Sequence, residues 1–260
     1  MKLWVLMENT ACREDLAAEH GLSLYLETGE HRILFDMGAS GAFWDNAEKM
    51  GIDLTTVDIA VLSHGHYDHG GGLSRFLAGN RQAEVYVNEH AFGGYYNAKD
   101  SYIGLDQALR DHPRLTFAGD RREIAPGLTL FTCSHWEQFT GMDCAGLQRM
   151  EKGLLVKEDF RHEQYLLIEE QGKKILISGC SHKGILNIAQ WFRPEVLIGG
   201  FHFMKMDPDG EAVAEAAKTL MTWPTVYYTG HCTGQEQFNR MKPIMGDQLM
   251  GISAGSQCEI

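Results

Sequence analysis

The chain has 260 residues, of which 44% are hydrophobic and 22% charged, so a substantial buried core is expected. Its 35 acidic against 23 basic residues leave a formal charge of −12, which argues against a nucleic-acid binder with a basic face. No apolar run approaches the ~20 residues of a membrane span, and the run Leu3 to Met7 is shorter than the ~7–15 residues of a secretory core. A cytoplasmic setting is therefore expected, with the scattered Cys12, Cys133, Cys144, Cys180, Cys232 and Cys258 as reduced thiols.

In chain order, strand patterns follow the first apolar run at LSLYLET (22–28), RILFDMG (32–38), DIAVLSH (58–64), AEVYVN (83–88) and LTLFTCS (128–134). They continue at YLLIEE (165–170), KILISGC (174–180), EVLIGGFH (195–202) and TVYYTGH (225–231). Helical periodicity marks 40–51, 183–192 and 209–221, the last with Asp209 as its expected cap. This alternation predicts an α/β protein. A single unit over 1–260 is expected, with an irregular insertion or lid at about 90–160 carrying Phe92, Tyr95, Tyr96, Tyr102, Trp136 and Phe139. The segments LYLETGEHRILFDMG (24–38) and LLIEEQGKKILISGC (166–180) align without a gap, which suggests two similar halves.

The histidines fall at strand ends. DIAVLS runs into His64, KILISG into Cys180 and His182, EVLIGG into His202, and TVYYTG into His231. Ligands gather beyond the carboxyl ends of strands in α/β sheets, so four strands are expected to deliver donors to one edge. The stretch HGHYDHGGG (64–72) sets His64, His66, Asp68 and His69 within six residues. Neutral imidazole and carboxylate are divalent-metal donors. Alternation places His64 and His66 on one ion, while Asp68 and His69, beyond a turn, suit a second. Glycines at 65 and 70–72 permit close backbone approach.

SHGHYDHGGG resembles the signature of the metallo-β-lactamase fold superfamily, together with ILFDMG (33–38), ILISGCSH (175–182) and YTGHCTG (228–234). GCSHKGI, IGGFHF and GHCTG further resemble the subfamily of the dihydropterin-linked ribofuranosylaminobenzene phosphate synthase. The resemblance implies a four-layer αββα sandwich, with two mixed sheets flanked by helices. It implies His64, His66, Asp68, His69 and His231 as metal ligands, and Asp36 as a buried acid supporting the metal-binding loop. Two departures stand out. The loop that supplies a further histidine in many members is absent from KEDFRHEQ (157–164), where His162 sits nearer the strand, and Cys180 replaces the expected bridging Asp. His182 is then expected to supply the missing imidazole. Cys180 is either an alternative thiolate ligand or a small buried residue. His202, outside the general pattern, contacts substrate, transfers a proton, or is a structural histidine. His20, His31, His90 and His112 read as surface residues.

The function implied is a hydrolase with two divalent ions, zinc first and manganese or iron as alternatives. A metal-activated hydroxide would attack an ester, amide, lactone or phosphodiester of a small molecule, with Asp68 orienting the nucleophile and His202 contacting the leaving group. The alternative is a synthase joining an arylamine to a dihydropterin with metal-assisted loss of pyrophosphate. No nucleic-acid or membrane partner is expected, and the sequence does not give an oligomeric state.

Overall fold

A computed structural model describes residues 1–142 and 144–260. The period-two apolar runs become two seven-stranded sheets. The first contains β1 (Lys2–Met7), β2 (Ser23–Glu27), β3 (Arg32–Phe35), β4 (Ile59–Val61), β5 (Glu84–Asn88), β7 (Leu115–Ala118) and β17 (Gln257–Glu259). The second contains β8 (Arg121–Ala125), β9 (Leu128–Phe131), β12 (Tyr165–Glu170), β13 (Lys173–Gly179), β14 (Val196–Gly199), β15 (Val226–Thr229) and β16 (Leu249–Gly251). A small sheet joins β6 (Tyr95–Tyr96), β10 (Gln148–Glu151) and β11 (Leu154–Lys157). The helices are α1 (Ala42–Lys49), α2 (Tyr67–Gly70), α3 (Leu73–Gly79), α4 (Ile185–Phe192), α5 (Glu211–Leu220) and α6 (Gln235–Met245).

The strand orders are β17-β1-β2-β3-β4-β5-β7 and β8-β9-β12-β13-β14-β15-β16. Read in those directions, both sheets begin with antiparallel pairs and become parallel after the fourth strand. The two halves suggested by the repeated hairpin are therefore topological equivalents, with β2–β3 matching β12–β13. Gln171 and Gly172 both take positive φ (51° and 79°), as a two-residue turn joining twisted strands requires.

Three cores explain the layering. Leu24, Leu26, Ile33 and Phe35 meet Leu166, Ile168, Ile175 and Ile177 between the sheets. Phe43 and Trp44 of α1, with Leu73 and Phe76 of α3, cover the outer face of the first sheet. Ile188 of α4, Val213 and Leu220 of α5, and Met241 of α6 cover the second. The result is the αββα sandwich. Among the described residues, no helix is long and apolar enough to cross a membrane.

Two expectations need revising, and one element was missed. Asp209 does not cap α5: Gly210 holds that position without a side-chain hydrogen bond, and the Asp209 amide donates to Asp207 Oδ1 at 3.1 Å. The segment 90–160 is irregular only in part, because β7 extends the first sheet and β8–β9 the second. A helix at 235–245, containing Pro243, was not read from the sequence.

The triple glycine has ordinary helical φ at Gly71 (−62°) and Gly72 (−78°), so it serves close packing rather than an unusual turn. A Cβ at Gly72 would lie 2.2 Å from Met37 O and 2.5 Å from Ser40 O. Gly72→Ala should therefore destabilise the fold by about 1–3 kcal/mol. Chemical denaturation checks this, and unchanged stability would show that the β3–α1 loop gives way freely.

Candidate metal centre

The site forms where β3, β4, β13, β14 and β15 end. The Asp36 carboxylate, fully buried after β3, is its first fixed point. Its Oδ1 accepts from Ser63 N at 2.6 Å, and its Oδ2 accepts from Ser63 Oγ at 2.7 Å and from His69 Nδ1 at 2.6 Å. The serine hydroxyl gives its one proton to the bond with Asp36, so it can only accept from His64 Nδ1, 2.8 Å away. Both histidines thus carry their proton on Nδ1 and present a bare Nε2.

His231 is set the same way by another element. Asn9 Oδ1, which accepts from Gly21 N, lies 2.8 Å from His231 Nδ1, and Asn9 Nδ2 donates to His231 O at 3.3 Å. The His231 amide donates to Glu8 Oε1. A third buried acid repeats the device: Glu163 Oε1 accepts from His182 N at 2.6 Å, and its Oε2 from Lys183 N at 3.0 Å. Each turn that bears candidate ligands is therefore braced by a carboxylate holding backbone N–H groups.

Two donor clusters result. His64, His66 and His182 form one, and Asp68, His69, His231 and Cys180 the other; within each, the donor atoms lie within 4.8 Å of one another. Cys180 also groups with His182 and His202. His69 Nε2 faces His231 Nε2 at 3.1 Å and Cys180 Sγ at 3.0 Å, while His64 Nε2 faces His182 Nε2 at 3.3 Å. Bare nitrogens at such distances repel unless a cation or a proton lies among them. His66 Nε2, His182 Nδ1 and His202 Nδ1 are buried without hydrogen-bond partners. This donor chemistry fits a divalent metal centre.

The titration behaviour agrees. Burial and mutual repulsion push His64 and His182 well below the ordinary imidazole value, and burial brings His66 down to about 4. Burial opposes the charge on His69, yet the Asp36 and Asp68 carboxylates lift it to about 9, so without a cation a proton takes that place. Burial also opposes ionisation of Asp68, but His69 and His231 hold its carboxyl well below the carboxylate range.

All the sequence-derived candidates meet here: His64, His66, Asp68, His69, His182 and His231, with Asp36 and Cys180. His202 stands beside His182 with ring centroids 4.3 Å apart. His162 is at the site in another capacity. Its Nδ1 accepts from Gly65 N at 2.9 Å, so its proton sits on Nε2 and it braces the loop rather than offering a lone pair. His20 is more than the surface residue expected: although exposed, its Nε2 lies 3.5 Å from Asp68 Oδ2 and its ring 4.7 Å from that of His231. Glu8, Asn9 and Glu163 escaped sequence reading. The only signal for the first two was their place at the tip of β1.

Four residues at these strand tips have positive φ without being glycine: Asp36 (59°), Ser181 (59°), His202 (59°) and His231 (48°). Such positions cost of order 1–3 kcal/mol each and persist where neighbouring contacts hold them.

The family model described as the metallo-β-lactamase superfamily matches residues 17–184. The chain is 26% identical to a 7,8-dihydropterin-6-methyl-4-(β-D-ribofuranosyl)-aminobenzene-5'-phosphate synthase of Methanocaldococcus jannaschii, over 98% of this chain and 95% of that protein. Among solved structures it resembles Tm1679, described as a metal-dependent hydrolase of the β-lactamase superfamily, with a TM-score of 0.83, 27% identity and coverage of 100% and 99% of the two chains. It also shares its fold with Zn²⁺-bound PqqB of Methylobacterium extorquens, with a TM-score of 0.60, 11% identity and complete coverage of both chains.

Asp36→Asn cannot accept every proton directed at it, so divalent-metal affinity should fall by about 10–100-fold. Competition with a chromophoric chelator measures this, and wild-type affinity would remove Asp36 from the orienting role. For the metal-free protein the signs of the histidine shifts set the pH response. His64, His66 and His182 are depressed, so the unfolded chain binds more protons below about pH 6.5, and stability should fall from there toward pH 4. His69 is raised, so its contribution is complete below pH ~6.5 and is lost as pH rises through about 9. Urea titrations of chelator-treated protein at pH 5, 7 and 9.5 test both limbs, and a flat profile contradicts them.

Proposed function

The chain belongs to the metallo-β-lactamase superfamily, and on that footing we propose that it is a metal-dependent hydrolase of a small-molecule ester, amide, lactone or phosphodiester. The observation that carries this reading is the inward convergence of bare imidazole nitrogens in two adjoining clusters. In it, His64, His66 and His182 would hold one divalent ion and Asp68, His69 and His231 a second, with Cys180 grouped with His69 and His231 on one side and with His182 on the other. When bound, the ions, zinc in first place, supply an activated water and polarise the substrate's carbonyl or phosphoryl oxygen.

The protein's own residues do the rest. Asp36, Glu163 and Glu8 keep the donors oriented. Asp68, ionised, orients the attacking water. His202 is the proton donor to the leaving group: burial opposes its charge, but the Cys232 sulfur beside it and the Glu163 carboxylate together raise its pKa. A small substrate agrees with the charge of −12. Arg110, Arg149 and Arg161 do share one cleft, which the sequence did not suggest. Arg161 is nevertheless tied to Asp159 and Arg149 to Glu151, which neutralises two of the three.

A second reading rests on the similarity to the synthase of M. jannaschii. In it the same residues would hold ions that ease loss of pyrophosphate from a dihydropterin, and an arylamine would take the place of water. Incubation with a dihydropterin pyrophosphate and an arylamine separates the two: an adduct favours the synthase, free pterin alcohol the hydrolase.

Chelation should abolish hydrolysis of 4-nitrophenyl acetate or bis(4-nitrophenyl) phosphate, and zinc should restore it. Hydrolysis persisting in folded, metal-free protein sinks the reading. His202→Gln should lower kcat by about 10²-fold with metal content unchanged. Steady-state kinetics paired with elemental analysis checks this, and an unaltered kcat would leave His202 a structural role.

A further inference from the structure

Adjoining the donor clusters lies a cavity of about 470 Å³ whose lining includes His182 and His202. This is the size of a small-molecule site, some fifteen times the ~30 Å³ share of one water, and far too small for a polymer. Its walls are apolar: Ile185 and Leu186 of α4, Ala216 of α5, and Phe201 with Phe203. Those two rings stand 6.0 Å apart at 71°. Phe201 is buried and Phe203 half-buried, so the ring of Phe203 is the more open of the two, and an apolar cavity edged by aromatic rings suits a flat aromatic partner.

The charge of the lining is as telling as its shape. In a chain of net charge −12, no Asp or Glu among the described residues lines this cavity. Among the described residues its one permanent charge is Lys205, which is exposed and makes a long 3.4 Å hydrogen bond to Ala145 O. Among the described residues a cationic ligand would find no counter-charge there, whereas an anionic one would find Lys205.

The remaining wall, at Thr140 and Gly141, is held in place. Asn187 Oδ1 accepts from Phe139 N at 2.8 Å and Thr140 N at 2.9 Å, while Asn187 Nδ2 donates to Thr140 O at 3.0 Å. Trp191 Nε1 adds a bond to Glu137 O at 2.7 Å. A fully buried asparagine devoted to a loop backbone keeps the cavity shaped before any ligand arrives.

We propose that this cavity seats a flat aromatic body of an anionic substrate, with the anion at Lys205 and the reacting end against His182 and His202. The placement of the reacting end rests on the metal-dependent reading above; the seat itself is tested without turnover.

The probe is 2-naphthoate, followed by calorimetry and ligand-observed NMR on the protein as purified, with metal content measured in every sample. Naphthoate should bind at least about 10-fold more tightly than acetate, which lacks the ring, or 2-naphthylmethylammonium, which reverses the charge. Ala216→Trp, and Ala212→Trp at an exposed position of α5, should each weaken it at least about 10-fold by filling the space. Lys205→Ala should weaken it by about 3–10-fold, and Asn187→Ala should weaken it by loosening the wall. Three results overturn the assignment: undiminished binding in both tryptophan variants, equal binding of the ammonium probe, or binding that disappears with the metal yet ignores the substitutions at Ala212 and Ala216. Naphthoate bound as expected by a protein without metal-dependent turnover would uphold the seat and reject the reaction.

Discussion

One buried carboxylate, Asp36, orients both halves of the candidate centre. It takes the His69 Nδ1 proton directly and fixes His64 through the hydroxyl of Ser63. Burying a lone carboxylate costs several kcal/mol, and charge-assisted hydrogen bonds at 2.6–2.7 Å offset much of that here. The arrangement selects a tautomer as well as a direction. Without Asp36 to accept the hydroxyl hydrogen, Ser63 could donate to His64 Nδ1, leaving the ring proton on Nε2 and closing one cluster.

The same solution recurs at the other strand tips. Glu163 braces the turn after β13 and Glu8 the turn after β15, each through a backbone N–H of a histidine. These are also the tips with left-handed backbone at Ser181 and His231. A strand that simply ran on would alternate its side chains above and below the sheet. The left-handed residue breaks that alternation and lets donors from several strands meet. The strain is tolerable because a carboxylate secures the adjacent amide. The duplicated topology supplies matching tips in both sheets, so donors approach from two sides of one edge.

The legible parts of the site were those with local signatures. HGHYDHGGG announces itself because donors within six residues need no long-range knowledge. His182, His202 and His231 could be read because each follows an unmistakable apolar strand. Glu8 and Asn9 could not: they meet His231 across more than 220 residues, and a Glu-Asn pair after a strand is ordinary by itself. The role of His162 stayed open for a related reason, since proximity to the site is not ligation and its role depends on which nitrogen accepts from Gly65. The fold followed the same rule. Long periodic strands were plain, while α6, with its internal Pro243, lacked a decisive apolar stripe. Asp209 looked like a cap but stands one residue before the capping position.

Cys180 shows why the two clusters differ in charge. His64, His66 and His182 are neutral donors and bring no anion of their own, whereas Asp68 brings a permanent one to the other cluster. Cys180 lies between these cases. Burial pushes its thiol pKa well up, so without a cation it keeps its proton, with its sulfur 3.0 Å from His69 Nε2. A nearby divalent cation reverses that preference, because thiolate is the ligating form and binding expels the proton. A carboxylate at this place would carry its charge whether or not metal were present. The thiol supplies charge on demand, and with one sulfur near both clusters, neutralising a cation at one position leaves less for the other. The substitution of Cys180 for the expected acid therefore bears on how many ions the centre retains, and it does so through the protonation of a single buried sulfur.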